Sequence, residues 1–240
     1  MNILILMAGS DSDFCEKGYP KYLLEIQNKP MIQRTIELLE HVGDNITCII
    51  RKEDQDRYFL GDTLKILCPK SKIIEVAGDT RGAVCSALFA IDEINNDSEL
   101  LILNGSQLIK TDIAPAIKDF RDRNLDGGIV VINAVHPKYS SILLDEDGYV
   151  VQTSEKRPIS NLASTGCCYY KKGSDFVEAA FSVIEKDVST QGKYYISSTF
   201  NEMILNQKKI STYEIPKKDY LTFASYQMYE NYLTNRRGND

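Results

Sequence analysis

Four short groups of residues have the types and spacing that chemistry needs. At the N-terminus an apolar run, MNILILM, meets Ala8-Gly9-Ser10, passes through an acidic stretch carrying Asp11 and Asp13, and reaches Pro20-Lys21. Small residues behind a strand let backbone amides come close to a ligand, and Lys21 adds a cation a short loop away. Strand, small-residue turn and lysine together suit phosphate handling. The second group is Gly78-Asp79-Thr80-Arg81-Gly82, running into Ala83. The third, Asn104-Gly105-Ser106-Gln107, follows the apolar run LLIL, and the fourth is the adjacent carboxylate and ammonium of Glu155 and Lys156. Each has a plainer reading: a strand-ending turn at Gly9, a surface lysine at 21, an ion pair worth under ~1 kcal/mol at 155–156.

The elements that position these groups follow from hydrophobic periodicity. The opening run shows no polar alternation, so it reads as a strand buried on both faces. Further strands are expected at 22–26, 46–50, 72–76, 100–103 and 127–135. Helices are expected at 31–41, 54–61, 83–94 and 113–123, with 65–67 ambiguous. In the second half, 140–144, 149–155 and 164–170 read as antiparallel strands, 176–186 and 197–206 as helices, and 210–215 as a strand. A tyrosine-rich amphipathic helix over 220–233 closes the chain before a frayed tail at 236–240. Strands alternating with helices over 1–135 imply a mostly parallel sheet with helices on both faces. Ligands of such sheets sit outside the carboxyl ends of the strands. The loops after residues 6, 76 and 103 therefore fall at one rim.

Composition excludes several function classes. The net charge of −6 argues against a general nucleic-acid binder, which needs a basic footprint. With six cysteines, no Cys-x-x-Cys pair and two histidines, a zinc site is not expected. The cysteines read as reduced thiols, and the N-terminus lacks the basic and apolar regions of a signal peptide. No apolar run approaches the ~20 residues of a membrane span. The expectation is a cytoplasmic, single-domain α/β protein of 240 residues without membrane or nucleic-acid partners.

Taken in order, the motifs resemble the sugar-phosphate nucleotidyltransferase family, which makes nucleoside-diphosphate sugars from a nucleoside triphosphate and a sugar 1-phosphate. The resemblance rests on Met7-Ala8-Gly9, Phe14, Gly18-Tyr19, Pro20-Lys21, Leu23 and Lys29-Pro30-Met31-Ile32, then Thr80, Gly82 and Ala83, then Glu155-Lys156, Thr165-Gly166, Tyr169 and Phe200-Asn201-Glu202. It covers roughly 1–215. It implies a Rossmann-like fold with 1–135 as the nucleotide half, 136–215 as an antiparallel acceptor-side half and 216–240 as a C-terminal helix. It also implies magnesium, a nucleoside triphosphate and a sugar phosphate as partners. On that model Ala8, Gly9, Ser10 and Lys21 hold the triphosphate, Thr80, Gly82, Ala83 and Asn104 frame the nucleoside, and Glu155, Lys156, Gly166 and Asn201 meet the acceptor. Lys21 and Lys156 carry the catalytic charge. A helix cap is the other reading of Asn201.

The departures fall at the same rim. The family carries a second glycine and an arginine where this chain has Asp11 and Asp13, and a magnesium-binding aspartate where it has Ser106. A hydroxyl is a poorer ligand for a hard cation than a carboxylate. Asp11 and Asp13 either hold the cation from the loop side or form a solvated acidic loop. Three functions follow: a working nucleotidyltransferase for polysaccharide precursors, a catalytically silent nucleotide- or nucleotide-sugar-binding module, and a glycosyltransferase of related fold. The terminal helix, with tyrosines at 220, 226, 229 and 232, packs on its own chain or forms the face of a homo-oligomer.

Overall fold

The computed structural model describes residues 1–9, 14, 20–43, 45–223 and 225–237, with the side chains of 235–237 left out. Ser10, Asp11 and Asp13, named above as site candidates, lie outside the described residues. In chain order the elements are β1 (Asn2–Met7), β2 (Glu25–Ile26), β3 (Lys29–Pro30), α1 (Met31–Leu39), β4 (Asn45–Arg51), α2 (Lys52–Tyr58), α3 (Leu60–Leu67), β5 (Lys72–Val76), α4 (Ala83–Leu88), α5 (Ile91–Ile94), β6 (Leu100–Asn104) and β7 (Gln107–Ile109). There follow α6 (Ala114–Asp122), β8 (Gly127–Asn133), β9 (Ser140–Leu144), β10 (Val150–Glu155), β11 (Leu162–Tyr170), α7 (Gly173–Glu185), α8 (Ile196–Leu205), β12 (Ile210–Glu214), β13 (Tyr220–Thr222) and α9 (Tyr226–Arg237).

A central sheet is the spine. Along β6-β1-β4-β5 every pairing is parallel, as crossover helices between successive strands require. The second half joins through β11, which runs antiparallel to β6, β8 and β9. β10 extends the sheet from β9, and β12 pairs in parallel with β8. The expected α/β class and its antiparallel extension are therefore present in one continuous sheet.

The opening strand shows why its sequence lacks alternation. Ile3, Ile5 and Met7 face a core layer with Ile32, Ile36 and Leu39 of α1 and Phe120 of α6. Leu4, Leu6 and Ala8 face the opposite layer, with Val84 and Ala87 of α4, Phe176 of α7 and Phe200 of α8. Helices cover both faces, so every position of β1 after Asn2 is buried. A third, smaller cluster joins Phe14, Leu24, Ile26 and Met31 to Leu108, Phe223 and Tyr229.

Several boundaries differ from expectation. The strand expected at 22–26 survives only as β2; Lys21–Leu23 forms a 3-10 turn, and Gln27 and Asn28 take positive φ (54° and 63°) to close a small hairpin onto β3. The helix expected at 54–61 starts earlier and stops at Phe59, whose φ of 52° ends α2 and starts α3, absorbing the ambiguous 65–67. The 83–94 helix is interrupted at Phe89-Ala90. Residues 220–222, expected to begin the terminal helix, instead form β13 against β7, which was not anticipated. These are tertiary choices: an unpaired edge at β7 recruits the β-prone Tyr-Leu-Thr before the helix begins. Among the described residues no helix is long and apolar enough to cross a membrane.

Candidate functional site

The C-terminal ends of β1, β4, β5 and β6 meet at one rim, and there a cavity of about 380 Å³ opens. Ala8 and Gly9 line it directly after β1. No heavy atom lies within 4 Å of where a Gly9 side chain would begin, and the Gly9 carbonyl accepts a hydrogen bond from Tyr22 Oη at 3.3 Å. Lys21 also lines the cavity, with Nζ 4.6 Å from the ring centre of buried Phe14. Phe14 meets Tyr226 edge-on at 6.0 Å, so the terminal helix braces the ring against which Lys21 lies. The tyrosines of α9 pack within the chain: Phe223 meets Tyr229 and Tyr232 at 5.3 and 5.5 Å, and Tyr229 Oη donates to the Glu25 carbonyl at 3.0 Å.

The loop after β5 brings Asp79, Thr80, Gly82 and Ala83 to the same cavity. Thr80 Oγ1 lies 2.7 Å from Ser86 Oγ. Gly82 has φ 109° and ψ −179°, a conformation essentially restricted to glycine. A Cβ there would stand 2.5 Å from the Tyr194 carbonyl oxygen and 2.6 Å from its nitrogen. The close approach is held by Tyr194 N–H donating to the Arg81 carbonyl at 2.7 Å and Val84 N–H to the Tyr194 carbonyl at 3.2 Å. Next along the chain, Tyr195, Ile196 and Ser197 line the far end of the cavity. The two ends are thus joined backbone to backbone.

At that far end Glu155, the last residue of β10, faces Ser140 across the ladder. Its carboxylate accepts hydrogen bonds from the hydroxyls of Ser140 and Ser197. Lys138, Tyr139 and Lys193 complete this wall. Gly166 sits in the register shift of β11 with φ 78°, and a Cβ there would collide with Gln107 Oε1. Gln107 Oε1 is buried without a hydrogen-bond partner, and Asn104 Oδ1 accepts from both the N–H and the Oγ–H of Ser106, at 3.1 and 2.7 Å.

Those oxygens test the expected metal. Magnesium is usually held by one or two carboxylates together with phosphate oxygens and water. At the end of β6 the oxygens are amides and a hydroxyl, and Asn104 Oδ1 already serves two donors. These residues do not fit a resident magnesium ion. Among the described residues no group of three or more His, Cys, Asp or Glu side chains could hold one.

Two expected acceptor residues sit elsewhere. Lys156, at φ 55° just past β10, is exposed; its Nζ bonds Gln191 Oε1 and lies 5.8 Å from the Tyr195 ring centre, outside the cavity lining. Asn201 lies mid-way along α8 rather than at a cap. Its Oδ1 accepts from Thr153 N–H at 2.8 Å and its Nδ2 donates to the Thr153 carbonyl at 3.0 Å. Both ends of its amide are therefore engaged by β10, two residues before Glu155. Asn201 thereby ties α8 to the strand that carries Glu155, and it does not line the cavity.

The sequence reading missed Arg51 and Asp54, which line the cavity from the end of β4 and the start of α2. Arg51 Nε is buried without a hydrogen-bond partner, while its Nη2 pairs with Glu53. Asp54 is 3 % exposed; burial pushes its carboxyl up, against the opposing pull of the Arg51 and Arg57 guanidinium groups. A charged residue ending an apolar strand at a ligand rim was the available signal. The Cys168 thiol also lines the cavity, but burial drives it well above its ordinary value, as it drives Cys167 up to about 12. Neither is poised as a nucleophile.

Comparison with known proteins adds an independent line. Residues 13–222 match the model of a family described as nucleotidyl transferase. The chain is 28% identical over 216 residues to the bifunctional protein GlmU of Methanocaldococcus jannaschii, covering 87% of this chain and 48% of that protein. It is 24% identical over 192 residues to the low-salt glycan biosynthesis nucleotidyltransferase Agl11 of Haloferax volcanii, covering 77% and 51%. The chain thus spans about half the length of these relatives. Among solved structures, a nucleoside-diphosphate-sugar pyrophosphorylase from Vibrio cholerae RC9 shares the fold with a TM-score of 0.84 at 23% identity, over 97% of this chain and 99% of that one. A UDP-glucose pyrophosphorylase complexed with UDP-glucose gives 0.72 at 17% identity, over 89% of each chain.

Proposed function

The chain belongs to the nucleotidyl transferase family, and on that premise we propose that it transfers a nucleoside monophosphate from a nucleoside triphosphate to a sugar 1-phosphate or similarly phosphorylated acceptor. The product would be a precursor for polysaccharide synthesis. One observation carries the reading: Ala8, Gly9, Lys21, Thr80, Gly82, Ala83, Asn104, Glu155 and Gly166, drawn from distant parts of the chain, line one cavity. In this reading 1–135 supplies the nucleotide half and 136–215 the acceptor half.

An oxygen of the acceptor phosphate attacks the α-phosphorus; a new P–O bond forms as the bond to the β-phosphate oxygen breaks, and pyrophosphate leaves with that electron pair. Such transfer needs little covalent help, and positioning with charge neutralisation carries it. Lys21 and the amides after β1 hold the triphosphate. Glu155, preset by the Ser140 and Ser197 hydroxyls, accepts from the acceptor's hydroxyls. Lys156 exchanges Gln191 for the acceptor phosphate, swinging past Tyr195, while Lys193 adds a second cation on that wall. The residues at the end of β6 would not hold magnesium themselves; a divalent ion bound by the triphosphate's own oxygens would supply charge neutralisation there.

The neutral oxygens of Asn104, Ser106 and Gln107 favour a second reading, a module that binds nucleotide or nucleotide sugar without turnover. Incubating the protein with each triphosphate, magnesium and a panel of sugar 1-phosphates separates the two. Pyrophosphate release is expected for at least one pair. Nucleotide binding with no release, even in Ser106→Asp, would establish the silent module instead, and failure to bind any triphosphate or nucleotide sugar would sink both.

A further inference from the structure

Glu155 is the carboxylate at the far end of the cavity, and its two oxygens are used unequally. The hydroxyls of Ser140 and Ser197 both donate to Oε1. Among the described residues no donor reaches Oε2, and that oxygen keeps accessible surface. One carboxylate oxygen can accept two hydrogen bonds. The serines therefore load one side of the group and leave the other to the cavity.

What fixes Ser197 lies further back. β10 is an edge strand: among the described residues β9 is its one ladder neighbour, and their register shifts between Val150 and Gln152. Residues 153 and 155 alternate to the same face of that strand, and both reach α8 there. Thr153, 4 % exposed, donates from Oγ1 to the Ser197 carbonyl at 2.7 Å. Asn201, four residues on and so on the same side of the helix, closes its amide on the backbone of Thr153 from both ends, at 2.8 and 3.0 Å. Neither Thr153 nor Asn201 lines the cavity. Apolar side chains would pack helix on strand equally well; a fully satisfied polar set adds a fixed register between them.

Resting on the reading of this end as the acceptor wall, we infer that Thr153 and Asn201 are positioning residues for acceptor binding. They set the first turns of α8 against β10, Ser197 with Ser140 then holds Glu155 by Oε1, and Oε2 is aimed at one hydrogen-bond donor of the acceptor. Neither residue touches the acceptor, and their influence runs through Glu155.

Titration calorimetry of the full chain with UDP, GDP, ADP and dTDP, and with UDP-glucose, GDP-mannose, ADP-glucose and dTDP-glucose, tests this without requiring turnover. The ratio of the Kd for a diphosphate to the Kd for its sugar conjugate measures what the sugar contributes. At least one pair is expected to favour the conjugate. For that pair Thr153→Val, which keeps the shape and removes the donor, should cut the ratio by about threefold, and Asn201→Ala by about tenfold, the scale of one and of two neutral hydrogen bonds. The Kd for the diphosphate alone should not move, and Thr153→Ser should restore the ratio. In a Glu155→Ala background Thr153→Val should change the ratio no further, because the interaction it supports is gone. Should Thr153→Val or Asn201→Ala fail to fold, Ser197→Ala removes only the final donor and is expected to show the same selective loss. A ratio unchanged in these variants, a loss shared equally by diphosphate and conjugate, or a loss as large in Glu155→Ala as in wild type would overturn the inference and leave the acceptor wall standing. No preference for any conjugate over its diphosphate would overturn both.

Discussion

Replacing Gly82 with alanine tests whether the junction between the loop after β5 and the segment at Tyr194 holds the cavity together. Two penalties combine. The backbone at φ 109° and ψ −179° lies in a region that costs a non-glycine residue about 1–3 kcal/mol. The added Cβ would sit 2.5 and 2.6 Å from the Tyr194 carbonyl oxygen and nitrogen, atoms of a backbone that cannot swing aside like a side chain. Overpacking of that kind costs about 1–3 kcal/mol more. Relief requires separating strands of chain held at 2.7 and 3.2 Å by the Tyr194–Arg81 and Val84–Tyr194 hydrogen bonds. A loss of about 2–6 kcal/mol is expected, against a total of about 5–15 kcal/mol for a typical domain. Urea unfolding should show a lower midpoint with little change of slope. Nucleotide and acceptor affinity should both fall, because Tyr195 and Ser197 follow directly. Gly78→Ala is the control: its φ is 73°, but no atom lies within 4 Å of the new Cβ, so only the conformational penalty applies. If Gly82→Ala unfolds within about 0.5 kcal/mol of wild type, the scatter of ordinary surface changes, with both affinities intact, the junction carries no such role.

The remaining predictions are shorter. Lys156→Met should raise the KM for the acceptor by about tenfold, the loss of one charge-assisted hydrogen bond, with nucleotide affinity unchanged; Lys21→Met should do the reverse, and steady-state kinetics with calorimetry separate them. Tyr229→Ala removes a 7 % exposed ring from the cluster around Phe14, and should cost about 3–5 kcal/mol while weakening triphosphate binding through Lys21, as read from thermal unfolding with and without nucleotide. Glu99 is held below the usual carboxylate range by hydrogen bonds from Arg121, at 2.7 and 2.6 Å, opposed by burial and reinforced by Tyr169. Its contribution is therefore present above the unfolded carboxylate pKa and lost as pH falls through the lowered one, so Glu99→Gln should destabilise at neutral pH and match wild type in acid. Asp54 has the opposite sign: its raised carboxyl opposes folding when ionised. Asp54→Asn should make the ligand-free protein more stable at neutral pH, with the difference vanishing as the pH drops below the unfolded value.

What could be read from the sequence was local pattern repeated in order. The unbroken apolar run at the N-terminus demanded two covering layers, and the layers exist. The strand-end loops named a rim, and Ala8, Thr80, Asn104 and Glu155 line one cavity there. What escaped was set by partners distant in the chain. Nothing in Tyr-Leu-Thr at 220–222 announces an edge strand until the unpaired β7 is known. Asn201 read as an acceptor contact because of the motif around it; only the position of Thr153 shows that its amide bridges to β10. Arg51 and Asp54 illustrate the limit most clearly. By type they are unremarkable residues at the end of a strand and the start of a short helix. Their place in the cavity wall depends on the neighbouring strand, the loop beyond it and the space between them, and in chain order its one trace is a charged residue at the end of an apolar strand.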